Sequence, residues 1–510
     1  MQQTTIPRFG RYEQSLHHAG SYANPYRDCA GEVELSAPDG SRRLASLFWD
    51  GETTWRLRFS PDQVGDWHWR SRSADAGLDG ASGSFTCTTS EAHGGITTWP
   101  EHPYALRYQD GSPYWAFGDT HWSHTCTRPE DGCDRAAAMR YAERRAAQGF
   151  NLLNIKLQAW GRNEGGDAWN RSGSYDPVPD DEPLNPAFWQ EVDRRLQHLE
   201  DLGITAFLYI AWQKRDPEAQ LVSWDMFPDH QARLRYARYI AARYAAGNVL
   251  FCVAGEWKPG RGAHLHGDSR AGVAAIGAEL RHWDPQRRLL CVHGGGRGTT
   301  HPWFAHEPWC DLADCQQVYR ERHAEILLAR GHRKPVFNAE YGYWLRKFHD
   351  GMDGPGGMRA ISWEIAMAGG FLVTGWGSTY FGGLRHPTAF GCDADPGNGA
   401  WDEQVVHLKT LFERLPWWRL DPHDELLRGE AAHAYCLAES GGCHVAYVQG
   451  AADGIRLGLL GEPDLNRAEL FDPRSGASQP ITLTPDPEQG VVLPLPDEQD
   501  WVVIIDGCGV

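Results

Sequence analysis

No stretch of this 510-residue chain approaches the run of about eighteen apolar residues that a membrane-spanning helix needs. The opening MQQTTIPRFGRYEQS lacks a basic segment followed by an apolar run, so no secretory leader is expected. None of the 12 cysteines forms a CxxC pair, and together with that opening they read as reduced thiols in a cytoplasmic protein. There is no basic block either: 49 Lys and Arg stand against 67 Asp and Glu, a net charge of −18. That balance argues against a nucleic-acid backbone or an anionic membrane as partner. No GxGxxG turn follows the first strand of the central region, and Gly294-Gly295-Gly296 lacks the Lys and Ser/Thr of a phosphate loop. HLHGD at 264–268, with His293 and His301, gives no HxH on a strand or HExxH on a helix, so neither a catalytic metal nor a cofactor is expected.

Aromatics are what the chain has in surplus: 23 Trp, 18 Tyr and 18 Phe. Such residues line sugar-binding clefts, and they also fill aromatic-rich β domains; composition leaves both open. Length calls for two or three domains. Residues 1–92 alternate polar with large apolar residues between PDG, DG and PDQVGD turns, as in WRLRFSPDQVGDWHWRS, and read as a β-sandwich. Residues 421–510 again show only short strands, among them AHAYCLAE, CHVAYVQG and WVVIIDG, and read as a second sandwich.

Between them, over 93–420, apolar strand-like runs alternate with helical patterns. YWAFGDT (114–120), NLLNIKLQAW (151–160), ITAFLYIAW (204–212) and VLFCVAGEW (249–257) are the first four strands expected. RLLCVHGGG (288–296), LADCQQVY (312–319), PVFNAEYGY (335–343) and FLVTGWG (371–377) are the rest. Helices are expected over about 129–148, 186–202, 231–246 and 269–282. Eight buried strands of this kind fit a (β/α)8 barrel better than an open doubly wound sheet.

A barrel of this kind keeps its chemistry at the carboxyl ends of its strands. Reading off those ends collects Asp119, His121 and Trp122; Trp160; Trp212; Glu256 and Trp257; His293; Tyr319; Glu340; and Trp376. Glu256 and Glu340 end strands on opposite sides of the mouth. Two opposed carboxyl groups are what glycoside hydrolysis requires, one protonated to expel the leaving oxygen and one ionised. Asp119, His121 and Trp122 read as a sugar-recognition cluster, Trp160, Trp212 and Trp257 as stacking platforms, and Trp376 as a floor under the sugar. Glu364, in RAISWEIAMAGG, reads instead as a buried helix contact.

A glutamate after strand four and another after strand seven resemble the arrangement in the largest clan of retaining barrel glycosidases. That resemblance implies Glu256 as acid/base and Glu340 as nucleophile, with His293 and Tyr319 placed around the nucleophile. The whole chain resembles the apiosidase-like bacterial glycoside hydrolases more closely, on YALRYQDGSPYWAFGDTHW, QGFNLLNIK and AELFDPRSG. The last of these is similar to part of a collagen-binding module. Two departures stand out: Gly255 precedes Glu256 where the clan usually has asparagine, and glutamate stands at 256 where the group often has aspartate. The resemblance implies a retaining glycosidase with an oligosaccharide or glycoside as its substrate. The competing reading is a non-catalytic carbohydrate-binding protein on a barrel scaffold; a homo-oligomer stays open.

Overall fold

The computed structural model describes residues 4–125, 135–157, 164–169, 183–213, 222–259, 269–295, 298–316, 322–342, 355–375, 399–451, 454–486 and 490–506. At its centre run eight parallel strands: β1 Phe117–Thr120, β2 Leu152–Lys156, β3 Thr205–Tyr209, β4 Val249–Cys252, β5 Leu290–Cys291, β6 Ala313–Asp314, β7 Val336–Tyr341 and β8 Phe371–Thr374. Every residue in them is buried, which is why their sequences are largely apolar on both faces rather than alternating. The order β5-β4-β3-β2-β1-β8-β7-β6 is a ring opened at one place, between β5 and β6.

That seam is closed by other means. Asp311 and Leu312 donate their backbone N–H to Leu290 O at 2.8 and 3.4 Å. A segment at 298–300 lies along β6, with Thr300 N on Asp314 O at 3.2 Å and Gln316 N on Gly298 O at 3.1 Å. The barrel is therefore nearly closed.

Helices α1 Arg135–Ala147, α2 Pro186–Asp201, α3 His230–Arg243, α4 Ser269–Trp283, α5 Arg322–Arg330, α6 Pro355–Met367 and α7 Gly399–Arg414 surround the strands. Their starts follow ordinary capping chemistry. Asn185 caps α2 ahead of Pro186, and Asp229 caps α3 by accepting from Ala232 N at 2.8 Å. None of the described helices is long and apolar enough to cross a membrane.

Sheets of five and three antiparallel or mixed strands form the amino-terminal unit, and sheets of six and four the carboxyl-terminal one. Both are fastened to the barrel's helices by buried charge. Arg243 of α3 reaches Asp50 at 3.0 Å and Asp193 of α2 at 2.9 Å, and Arg58 adds Asp193 at 2.8 Å. On the other side Arg359 of α6 pairs with Asp500 at 2.6 Å, and Trp363 stacks on Tyr447 at 5.3 Å between ring centres. Glu364 is a buried helix contact, paired with Arg322 at 2.6 Å. All eight described cysteines are buried.

Candidate active site

Glu340 owes its orientation to an irregularity in β7. Phe337 and Asn338 pair with Phe371 and Leu372 of β8, but Tyr341 pairs with Thr374, so β7 spends one residue more than its neighbour over the same stretch. Phe337 faces the barrel interior, where its ring meets Phe207 of β3 at 5.9 Å. Strict alternation would then bring Tyr341 inside and turn Glu340 out. The extra residue reverses this: Tyr341 points at α6, its hydroxyl 2.9 Å from Ser362 Oγ, and Glu340 points inward. The bulge directs a carbonyl into the barrel, and Asn154 of β2 satisfies it by donating Nδ2 to Ala339 O at 2.6 Å.

Two donors converge on the Oε2 of Glu340, Gln316 Nε2 at 2.6 Å and His293 Nε2 at 3.0 Å. The other ring nitrogen of His293 lies 3.2 Å from Asp314 Oδ1, and that same oxygen accepts the N–H of Gly294 at 3.0 Å. The imidazole is wholly buried between two carboxylates. Burial works against its charged form, but Asp314 and then Glu340 outweigh it, and His293 holds its proton well above the ordinary 6.5.

Glu256 is placed differently. Its residue has left-handed backbone, φ +49°, uncommon for a side chain bearing a Cβ. The flanking peptides fix it there: Gly255 N donates to Ala211 O at 2.9 Å, and Trp257 N to His293 O at 2.9 Å. So the half-buried Glu256 stands one residue from a peptide bonded to the backbone of His293, whose ring touches Glu340. Gly255 is required locally. A Cβ there would lie 1.8 Å from Cε3 of Trp212, whose indole occupies the space any larger side chain would need.

Trp122, Tyr209 and Trp212 form an aromatic wall beside this group. Trp122 meets Tyr209 and Trp212 edge-on at 4.7 and 5.3 Å, and Tyr209 lies 5.2 Å from His293. The Tyr209 hydroxyl is buried and finds no hydrogen-bond partner among the described residues.

Three residues expected at the mouth face elsewhere. Asp119 turns outward to α1, bonded at Oδ2 by Arg145 Nε at 2.6 Å and by the Tyr141 hydroxyl. His121 packs its ring on Tyr141 at 4.5 Å and bonds His124 at 3.0 Å. Both are fully buried against the helix layer. Trp257, expected as a platform, packs edge-on against Phe304 at 4.8 Å behind the wall. Phase explains Asp119, because alternate strand residues face the helices, not the bore, and His121 just past the strand keeps the same side. Trp160, Tyr319 and Trp376 lie outside the described residues, as does the loop over 170–182.

Asp314, Gln316 and Tyr209 were not singled out in the sequence. A period of two was the available signal: in ADCQQ, Asp314 and Gln316 share a face, and Phe207 and Tyr209 do so in TAFLY.

Among known proteins, the family profile described as "Apiosidase-like, catalytic domain" matches residues 101–419, and a domain of unknown function, DUF5060, matches residues 5–74. No curated protein matches the chain. A crystal structure of a candidate glycoside hydrolase from Bacteroides vulgatus superposes with a TM-score of 0.77 at 19% identity, covering 99% of this chain and 100% of that one. A family 5 glycoside hydrolase from Bacteroides vulgatus gives 0.61 at 18% identity, covering 81% of this chain and 94% of that one. Another structure described as a glycoside hydrolase gives 0.63 at 15%, over 81% and 97%. At these identities the likeness is one of fold.

Proposed function

The chain belongs to the apiosidase-like catalytic domain family, and on that premise we propose that it is a retaining glycosidase with Glu340 as nucleophile and Glu256 as acid/base. What supports the reading most is the setting of Glu340: an inward carboxylate at the end of β7, gripped at Oε2 by Gln316 and by a His293 that carries its proton. A nucleophilic carboxylate must be ionised and held still, and donors on one oxygen do both.

In the first step Glu256 gives its proton to the glycosidic oxygen while a Glu340 oxygen attacks the anomeric carbon. The bond to the leaving group breaks, and a glycosyl ester forms on Glu340. In the second step Glu256, now ionised, takes a proton from water. That water attacks the anomeric carbon and releases Glu340 as a carboxylate. His293 and Gln316 accompany the charge on Glu340 as it is lost and regained. Asp314 orients His293 without reaching the substrate. Trp122, Tyr209 and Trp212 offer the apolar face on which a sugar ring packs, and the substrate is an oligosaccharide or glycoside.

The test is a panel of aryl pentosides and hexosides of both anomers, apiosides among them, against wild type and Glu340→Gln in parallel. Aglycone release by wild type, with a drop of about a thousandfold or more in the variant, agrees with the reading; that drop is about 4 kcal/mol of barrier. Equal rates would remove Glu340 from the role. Binding of glycans without cleavage of any would favour the carbohydrate-binding alternative.

A further inference from the structure

Behind the barrel wall, on the side of β6 away from the bore, three potential ligands meet. His301, Cys315 and Glu325 each offer one donor atom, and those atoms lie within 4.8 Å of one another. They come from three elements: the short helix His301–Phe304, the residue following β6, and α5. We propose that these side chains form a structural site for a borderline-soft divalent cation, zinc above all, that braces β6, at the edge of the seam, against the helices behind it.

The donor set selects the ion. A thiolate, an imidazole and a carboxylate suit zinc rather than magnesium or calcium, which take oxygen ligands. The charges also balance, since one thiolate and one carboxylate neutralise a dication at a largely buried position. His301 is 7% exposed and Cys315 fully buried, while Glu325 keeps 21% of its side chain in solvent and opens a path for the ion.

His301 is already oriented as a ligand. Its Nε2 lies 2.9 Å from Glu325 Oε1, and its Nδ1 lies 3.1 Å from His332 Nε2. A metal-bound histidine is ordinarily steadied through its other ring nitrogen, and His332 supplies that partner. Between Nε2 and the carboxylate either a proton or a metal ion sits. A proton leaves Cys315 as an ordinary buried thiol; a metal takes its sulfur as third ligand, and water completes four. Donors around tetrahedral zinc stand about 3.3–3.8 Å apart, so the 2.9 Å pair has to open slightly and the wider separations to close, a shift that falls to Glu325 on the solvent side. A nucleophilic Cys-His-Glu triad is the other chemistry such a trio suggests, but the sealed Cys315 sulfur leaves a substrate no approach.

The position gives the site its purpose. Cys315 stands between Asp314, which orients His293, and Gln316, which grips Glu340. It follows β6, a strand that borders the opening in the ring. A cation there would fix the strand carrying two of the active site's supporting groups. The site does not depend on which reaction the mouth performs.

The experiment uses the full chain with any tag removed, incubated with zinc chloride and desalted, its bound metal counted by inductively coupled plasma mass spectrometry. Expected are about one zinc per chain, a rise in Tm with zinc that a chelator reverses, and loss of both in Cys315→Ala and in Glu325→Gln. The second variant, at a partly exposed position, keeps the proposal testable should the first misfold. Cobalt substitution should add a thiolate-to-metal charge-transfer absorption that Cys315→Ala lacks. Far less than one zinc per chain, or one zinc retained by a folded Glu325→Gln, overturns the proposal.

Discussion

His293 places Nε2 3.0 Å from the Oε2 of Glu340 while its Nδ1 lies 3.2 Å from Asp314. One imidazole thus joins the carboxylate at the end of β7 to the carboxylate on β6, across the seam where the ring of strands is interrupted.

Stability should track the charge on that imidazole. His293 binds its proton more tightly in the folded protein than at its ordinary value of 6.5. Its contribution is therefore fully present below about 6.5 and is lost as pH climbs through the raised folded value. Thermal melts of wild type should fall across that alkaline range, and His293→Gln should flatten this part of the profile. Parallel profiles would remove the charged His293 from the account.

Gln316 makes the shorter contact to Glu340. Hydrogen bonds to charged groups contribute about 1.5–3 kcal/mol, so Gln316→Ala should lower kcat by roughly ten- to a hundredfold. KM should hold, since the amide bonds the carboxylate of Glu340. Steady-state kinetics on a substrate found in the aryl glycoside panel separates the two constants.

Asp119 is expected to matter for folding and not for binding. Removing one partner from a buried ion pair costs about 3–5 kcal/mol. Asp119→Ala should therefore show a much lower Tm, with KM close to wild type in the fraction that stays folded. A raised KM at unchanged Tm would return Asp119 to the sugar site.

Gly255→Asn should damage this protein. The new Cβ has to displace the Trp212 ring, and overpacking of that kind costs about 1–3 kcal/mol. A lowered Tm and a weakened KM are expected together, because Trp212 is part of the aromatic wall.

Sequence sufficed where burial dictates residue type. The eight strands stand out because continuous runs such as NLLNIK and VLFCV are what a two-sided cover demands, and α2, bounded by Asn185 and Pro186, begins where its cap predicts. Glu256 and Glu340 stand out as lone carboxylates closing apolar strands. Side-chain direction was not legible. A single extra residue in β7 decides that Glu340 faces in, and nothing in VFNAEY announces a bulge. The left-handed turn at Glu256 is held by bonds from its flanking peptides to Ala211 and His293, which stand past the ends of other strands. Asp119 and His121 have residue types suited to a sugar site, yet their strand phase sends them to the helices.

The central claim is that Glu340 attacks the sugar. Once the substrate panel names the glycoside, its 2-deoxy-2-fluoro analogue with a good leaving group should trap the ester, and peptide-mapping mass spectrometry locates it. The account predicts one added glycosyl mass per chain, on the peptide containing Glu340 and absent from Glu340→Gln. A label on another carboxylate, or turnover that inverts the anomer with no trapped ester, would contradict it.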